Sequence, residues 1–107
     1  MYGLKDKVIQ EISGVFSQYP QIEKTILYGS RAKGNYRNGS DIDLTLQGEG
    51  LTLTMLFRIE TELDDLLLPY KIDLSNFHQI GNPDLVNHIE RVGLVFYQKE
   101  AEEVHRH

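Results

Sequence analysis

The sequence predicts an α/β (α+β) fold, a mixed sheet of about four strands covered by helices. Three observations predict it. Apolar residues recur with helical period in some segments and with period two or as short β-branched runs in others. These segments follow one another as helix, strand, strand, helix, strand, helix, strand, the order of a sheet covered by helices. The links on either side of the second strand are short, which favours a mixed sheet over a wholly parallel one.

Leu4, Val8, Ile9, Ile12, Val15 and Phe16 have helical spacing, so residues 4–18 read as an amphipathic helix, ended by Tyr19-Pro20. Thr25-Ile26-Leu27-Tyr28 is short, β-branched and aromatic, and reads as a buried strand. Gly29-Ser30 turns the chain, Arg31 to Gly34 starts a short helix, and Gly34, Asn38 and Gly39 mark a loop. Asp41 to Leu46 alternates strictly: Asp41, Asp43 and Thr45 on one face, Ile42, Leu44 and Leu46 on the other. A second amphipathic helix over about 52–67 carries Met55, Leu56, Ile59, Leu63, Leu66 and Leu67, and Pro69 stops it. Tyr70 to Phe77 alternates again, with Lys71, Asp73 and Ser75 opposite Ile72 and Leu74. Asn82-Pro83 pairs a capping side chain with a first-turn proline. Leu85, Val86, Ile89 and Val92 form the apolar face of the helix that follows, Gly93 ends it, and Leu94 to Gln98 is a last strand. Lys99 to His107 reads as a frayed, charged tail.

The 107 residues are expected to form one domain, 1–107, large enough for one core. With 40% apolar and 25% charged residues, the composition is that of a globular protein rather than a disordered one. No apolar run approaches the roughly 20 residues that cross a bilayer, and Met-Tyr-Gly-Leu-Lys-Asp-Lys is no signal peptide. Cysteine is absent, which excludes disulfides and thiolate metal sites and fits a cytoplasmic location. A net charge of −5 argues against direct nucleic-acid binding through the phosphate backbone. Between Lys24 and Ser40, however, lie Lys24, Arg31, Lys33 and Arg37 and no acid. A polyphosphate held by a metal would want such a positive loop directly before an aspartate pair.

That pair is the centre of the functional reading. Asp41 and Asp43 project from one strand face, two residues apart, where crowded like charges raise one another's pKa unless a cation intervenes. Mg²⁺ or Mn²⁺, which prefer hard oxygen ligands, would relieve the conflict. Asp73 has the same parity on its own strand and is the natural third ligand; two metals about 3.5–4 Å apart could then clamp an in-line displacement. Asp73 could alternatively, or in addition, take the proton of an acceptor hydroxyl. Gly29 permits close backbone approach, and the amides after it favour phosphate oxygens, with the Ser30 hydroxyl adding a hydrogen bond. Arg31, Lys33 and Arg37 could neutralise an outgoing pyrophosphate. Singly, a Gly-Ser turn, an Asp-x-Asp strand or a lone aspartate is most often structural; the combination at this spacing indicates metal-assisted nucleotidyl or phosphoryl transfer.

Leu27-Tyr28-Gly29-Ser30-Arg31-Ala32-Lys33-Gly34, followed by Gly39-Ser40-Asp41-Ile42-Asp43-Leu44, resembles the signature of the DNA polymerase β-like nucleotidyltransferase superfamily. The short chain is similar to its minimal nucleotidyltransferases, the MNT (MntA-like) proteins, and Lys71-Ile72-Asp73-Leu74 and Gly93 to Tyr97 also fit. The resemblance implies a nucleotidyltransferase-like sheet, Asp41, Asp43 and Asp73 as catalytic metal ligands, and Gly29 and Ser30 holding ATP. It further implies Mg²⁺ as cofactor and an antitoxin role in a two-gene toxin–antitoxin module. The implied reaction there is AMPylation of a tyrosine on a helical HEPN-domain partner, within a hetero-oligomer. The chain has no residues to spare for a domain that seats an acceptor, so the acceptor is expected to come from another protein or to be small. Transfer to a small hydroxyl compound such as an aminoglycoside, and a non-catalytic antitoxin that works by binding alone, are the competing readings.

Other residues read as structural. His78 and His88 have no matching ligand spacing and are expected to be satisfied surface or core histidines; His105 and His107 resemble remnants of a tag. Glu60 to Asp65 reads as a solvated helix face. Tyr36, in the loop before Asp41, could stack on a base.

Overall fold

A computed structural model describes residues 1–100; the tail residues His105 and His107 lie outside the described residues. Among the described residues four strands and four helices alternate: α1 (Asp6–Phe16), β1 (Lys24–Tyr28), α2 (Ser30–Lys33), β2 (Ile42–Gln47), α3 (Leu53–Asp64), β3 (Ile72–Asn76), α4 (Pro83–Val92) and β4 (Leu94–Gln98). A 3-10 turn, Phe77–Gln79, follows β3. The strands form one sheet in the order β3-β2-β1-β4. β1 runs antiparallel to both β2 and β4, and β2 runs parallel to β3 through the α3 crossover, so the sheet is mixed, as the link lengths predict.

The alternation along each strand divides the sheet into two unlike faces. Leu27, Ile42, Leu44, Leu46 and Leu74 join Ile12, Phe16, Ile59 and Leu63 in the main core, which α1 and α3 cover. Burial of each such apolar side chain contributes about 1.5–3 kcal/mol. The opposite face carries Ile26 and Tyr28, covered by Ile89 of α4, and beside them the polar positions of β2 and β3. One helix therefore covers only part of this face, and the remainder holds the aspartates.

The helix ends follow local chemistry. The Thr52 side chain accepts from Met55 N–H at 3.1 Å and starts α3. Asn82 accepts from Asp84 N–H at 2.9 Å and Leu85 N–H at 3.4 Å, with Pro83 at the first helical position of α4. The predicted helices 4–18 and 52–67 are both shorter in the structure. Tyr2 and Gly3 have positive φ, so Leu4 is buried ahead of α1 rather than within it, and Leu67 with φ 56° lies beyond the end of α3. The strand expected over Tyr70 to Phe77 is only Ile72–Asn76, because the Asn76 side chain accepts from His78 N–H at 3.2 Å and turns the chain at Phe77. The acidic segment of α3 is not wholly solvated, since the Tyr19 hydroxyl donates to Glu62 and ties the end of α1 to α3.

Candidate active site

The end of β1 meets the start of β2 and β3 at one edge of the polar face. Tyr28 is opposite Asp43 across the antiparallel pair, and Asp43 is opposite Asp73 across the parallel one. These three side chains therefore form a row across adjacent strands. Asp41 immediately precedes β2 and is exposed; Asp43 is half-buried and Asp73 exposed. The backbone N–H of Ile42 donates to the Lys71 carbonyl at 2.9 Å and holds the starts of β2 and β3 together. The alternation puts Asp41 and Asp43 on one strand face and gives Asp73 the same parity, and the register places Asp43 and Asp73 side by side.

Their charges are felt mutually. Burial, and then the neighbouring carboxylates of Asp73 and Asp41, push the Asp43 carboxyl above the usual range, against the pull of Lys71. Burial raises the Tyr28 phenol as well, with Ser75 opposing the shift and Asp43 and Asp73 adding to it. As they stand, no three Asp, Glu or His side chains among the described residues are drawn together tightly enough to hold an ion. A cation between carboxylates would remove the repulsion that helps raise the Asp43 pKa.

Gly29 adjoins this row. It has φ 73° and ψ −154°, a conformation essentially reserved for glycine, and a Cβ there would collide with Asp43 Oδ2. Its carbonyl accepts from Lys33 N–H at 3.1 Å, which closes the single turn of α2; Ser30, half-buried, is the first residue of that turn. Gly34, with φ 88°, ends it.

The basic residues separate into two kinds. Lys33 and Arg37 are exposed, Lys33 at the end of α2 and Arg37 in the loop before Asp41. Arg31, expected to face a pyrophosphate, is instead buried, only 3% exposed. Its Nε and Nη2 donate to the Ser40 carbonyl at 3.1 and 2.8 Å, and its Nη1 to the Tyr2 carbonyl at 2.9 Å. The guanidinium lies over the rings of Tyr36 and Tyr70, 5.3 and 5.0 Å from their centroids. Every edge it offers is turned inward, so Arg31 anchors the loop that delivers Asp41. Tyr36, considered for base stacking, is at the surface with one face against this cation.

Two residues to which the sequence assigns no role adjoin the site. His88, read as a satisfied histidine, comes from α4 to accept Gly29 N–H at its Nε2, 3.3 Å away, with its ring edge-on to Tyr28. Lys71 stands close enough to Asp43 to lower its pKa. The parity of Lys71 with Asp73 was a usable signal for the second; nothing in the local sequence around His88 announces the first. A groove of about 750 Å³ lies at the other end of β1, beside Pro20, Lys24 and Gln98.

The mixed four-stranded sheet thus carries its aspartates where the two parallel strands begin, with a glycine turn beside them. The fold is shared with chains of solved toxin–antitoxin complexes. A toxin–antitoxin structure with AMP-PNP matches with a TM-score of 0.68 at 18% identity, covering 91% of this chain and 76% of that one. The MntA–HepT toxin–antitoxin matches at 0.66 and 15%, covering 89% and 74%. The complex of tri-AMPylated Shewanella oneidensis HEPN toxin with MNT antitoxin matches at 0.66 and 15%, covering 90% and 74%. No curated protein matches the sequence. The chain belongs to the polymerase beta nucleotidyltransferase family, whose model matches residues 10–102.

Proposed function

We propose that this chain is a Mg²⁺-dependent adenylyltransferase that moves AMP from ATP to a tyrosine hydroxyl of a HEPN-type partner and so acts as its antitoxin. The observation that carries the reading is the side-by-side placement of Asp43 and Asp73 on β2 and β3, with Asp41 at the entry to β2 and the Gly29 turn alongside.

Asp41, Asp43 and Asp73 are an all-carboxylate donor set, and burial followed by the repulsion of Asp73 and Asp41 raises the Asp43 pKa, which suits a hard divalent cation. Mg²⁺ held by them would neutralise charge on the phosphates and polarise the α-phosphorus. Gly29 and Ser30 receive the triphosphate, where the absence of a side chain at Gly29 leaves room for backbone approach. Lys33 and Arg37 offset the charge of the departing pyrophosphate. The acceptor oxygen bonds to the α-phosphorus as the bond from that phosphorus to the β-phosphate bridging oxygen breaks. Asp73 lies on β3, an edge strand, where it meets the incoming hydroxyl and takes its proton.

The choice of AMP and of a protein acceptor is supported by the company the fold keeps: a complex with AMP-PNP and another whose HEPN toxin is AMPylated. The test is to incubate the chain with Mg²⁺ and α-labelled ATP, with and without a HEPN protein encoded beside it, next to the Asp41→Asn/Asp43→Asn variant. Label should reach the HEPN protein only with both aspartates intact. Tight binding of that protein without label transfer, unchanged in the variant, would leave a binding antitoxin instead. Label on an aminoglycoside in the absence of any protein partner would move the acceptor to small molecules.

A further inference from the structure

His88 has no part in the chemistry above, yet it holds one of the groups that chemistry depends on. It lies half-buried on α4, next to Ile89, which packs on Ile26 and Tyr28. Its ring meets Tyr28 edge-on with centroids 6.2 Å apart, and its Nε2 accepts the Gly29 N–H at 3.3 Å. An imidazole nitrogen that accepts carries no proton, so the ring proton is on Nδ1.

Gly29 is the residue of the turn least able to hold its own shape. Glycine loses more conformational freedom on ordering than any other residue, and the conformation here, φ 73° and ψ −154°, is one of many open to it. Its two peptide groups are fixed from outside instead. Its carbonyl is taken by Lys33 N–H within the turn, and its N–H by His88 from a helix more than fifty residues further along the chain. With Asp43 Oδ2 filling the space of the absent Cβ, the turn is held on three sides. A turn fixed before a ligand arrives presents its donors without reorganisation.

We infer that His88 is a positioning residue of the nucleotide site: through its Nε2 acceptor it holds the Gly29 turn in the shape that receives a nucleoside triphosphate. The identity of the ligand rests on the nucleotidyltransferase reading; the tether to Gly29 does not.

Two variants of the full chain separate tether from packing. His88→Phe keeps an aromatic ring against Tyr28 and removes the acceptor, whereas His88→Gln keeps an acceptor and removes the ring. Hydrogen exchange of the Gly29 amide and the affinity for Mg·ATP by calorimetry are the readouts. In His88→Phe, Gly29 exchange should quicken and Mg·ATP affinity should fall about five-fold, the loss of one neutral hydrogen bond, at a melting temperature close to wild type. His88→Gln should restore both. Wild-type exchange and affinity in His88→Phe, or His88→Gln as impaired as His88→Phe, would overturn the inference. If Phe unsettles the fold, His88→Leu supplies the acceptor-free comparison. A wild-type chain that binds no Mg·ATP would sink the nucleotide reading alone, and the exchange contrast between the Phe and Gln variants would still decide on the tether.

Discussion

Gly29 lies so close to Asp43 that a β-carbon on the glycine would collide with the Asp43 Oδ2 atom. The turn and the carboxylate are therefore one packing unit. Gly29→Ala adds a methyl group at a backbone conformation strained for any L side chain and displaces the aspartate. The variant should lose about 1–3 kcal/mol of stability and at least about a hundred-fold in label transfer. Thermal melts and the transfer assay, run on the same preparation, check both.

Asp43→Asn separates stability from activity. Burial, with Asp73 and Asp41, raises the Asp43 pKa in the folded chain above its unfolded value. A raised pKa means that the folded state binds the proton more tightly, so the stability associated with it is full below the unfolded pKa and is lost as pH rises through the folded one. At pH 7 the ionised carboxylate thus weighs against the fold. The Asn variant should melt higher than wild type at pH 7 and show no transfer. The difference in melting temperature should shrink as pH falls through the carboxylate range, and a scan of melts from pH 7 to pH 3 measures it.

Arg31→Lys should destabilise the chain by about 2 kcal/mol or more, a fall in melting temperature on the order of 10 °C. A lysine cannot reproduce the fork that reaches the Ser40 and Tyr2 carbonyls together, nor lie flat against Tyr36 and Tyr70. Denaturant titration of the two proteins gives the difference directly.

Lys33→Ala and Arg37→Ala should behave in the opposite way. Both side chains are exposed, so each variant should melt within a degree or two of wild type. Each should raise the KM for ATP about ten-fold through loss of a charge-assisted contact to phosphate. Steady-state kinetics across ATP concentrations, with melting curves alongside, distinguishes them from Arg31→Lys.

Removal of divalent cations should abolish transfer, and Mg²⁺ or Mn²⁺ should restore it while Ca²⁺, with its looser geometry, should not. Chelation followed by titration of each cation in the label-transfer assay checks this.

The alternation of Ile42, Leu44 and Leu46 with Asp43 and Thr45 was legible in the sequence because period two is a local property of a strand, and burial of one face enforces it. The Asn82-Pro83 start of α4 was legible for the same reason: the cap reaches only two and three residues ahead. Element ends were less so. Tyr70 and Lys71 continue the alternation of β3 but lie outside it, because strand length depends on the partner strand as well as on the segment's own pattern.

By itself, then, the sequence determined the alternating elements, the two-faced strands and the run of residues from Gly29 to Asp43, all set by spacing within a few residues. Only the tertiary structure decided which of the loop cations face solvent. A guanidinium and an ammonium read alike as charges along the chain, but Arg31 is consumed by carbonyls at residues 2 and 40 and by rings at 36 and 70, while Lys33 is left outside. Only the tertiary structure brought His88 to Gly29, since a hydrogen bond between residues 29 and 88 exists once α4 has packed on Ile26 and Tyr28 and not before.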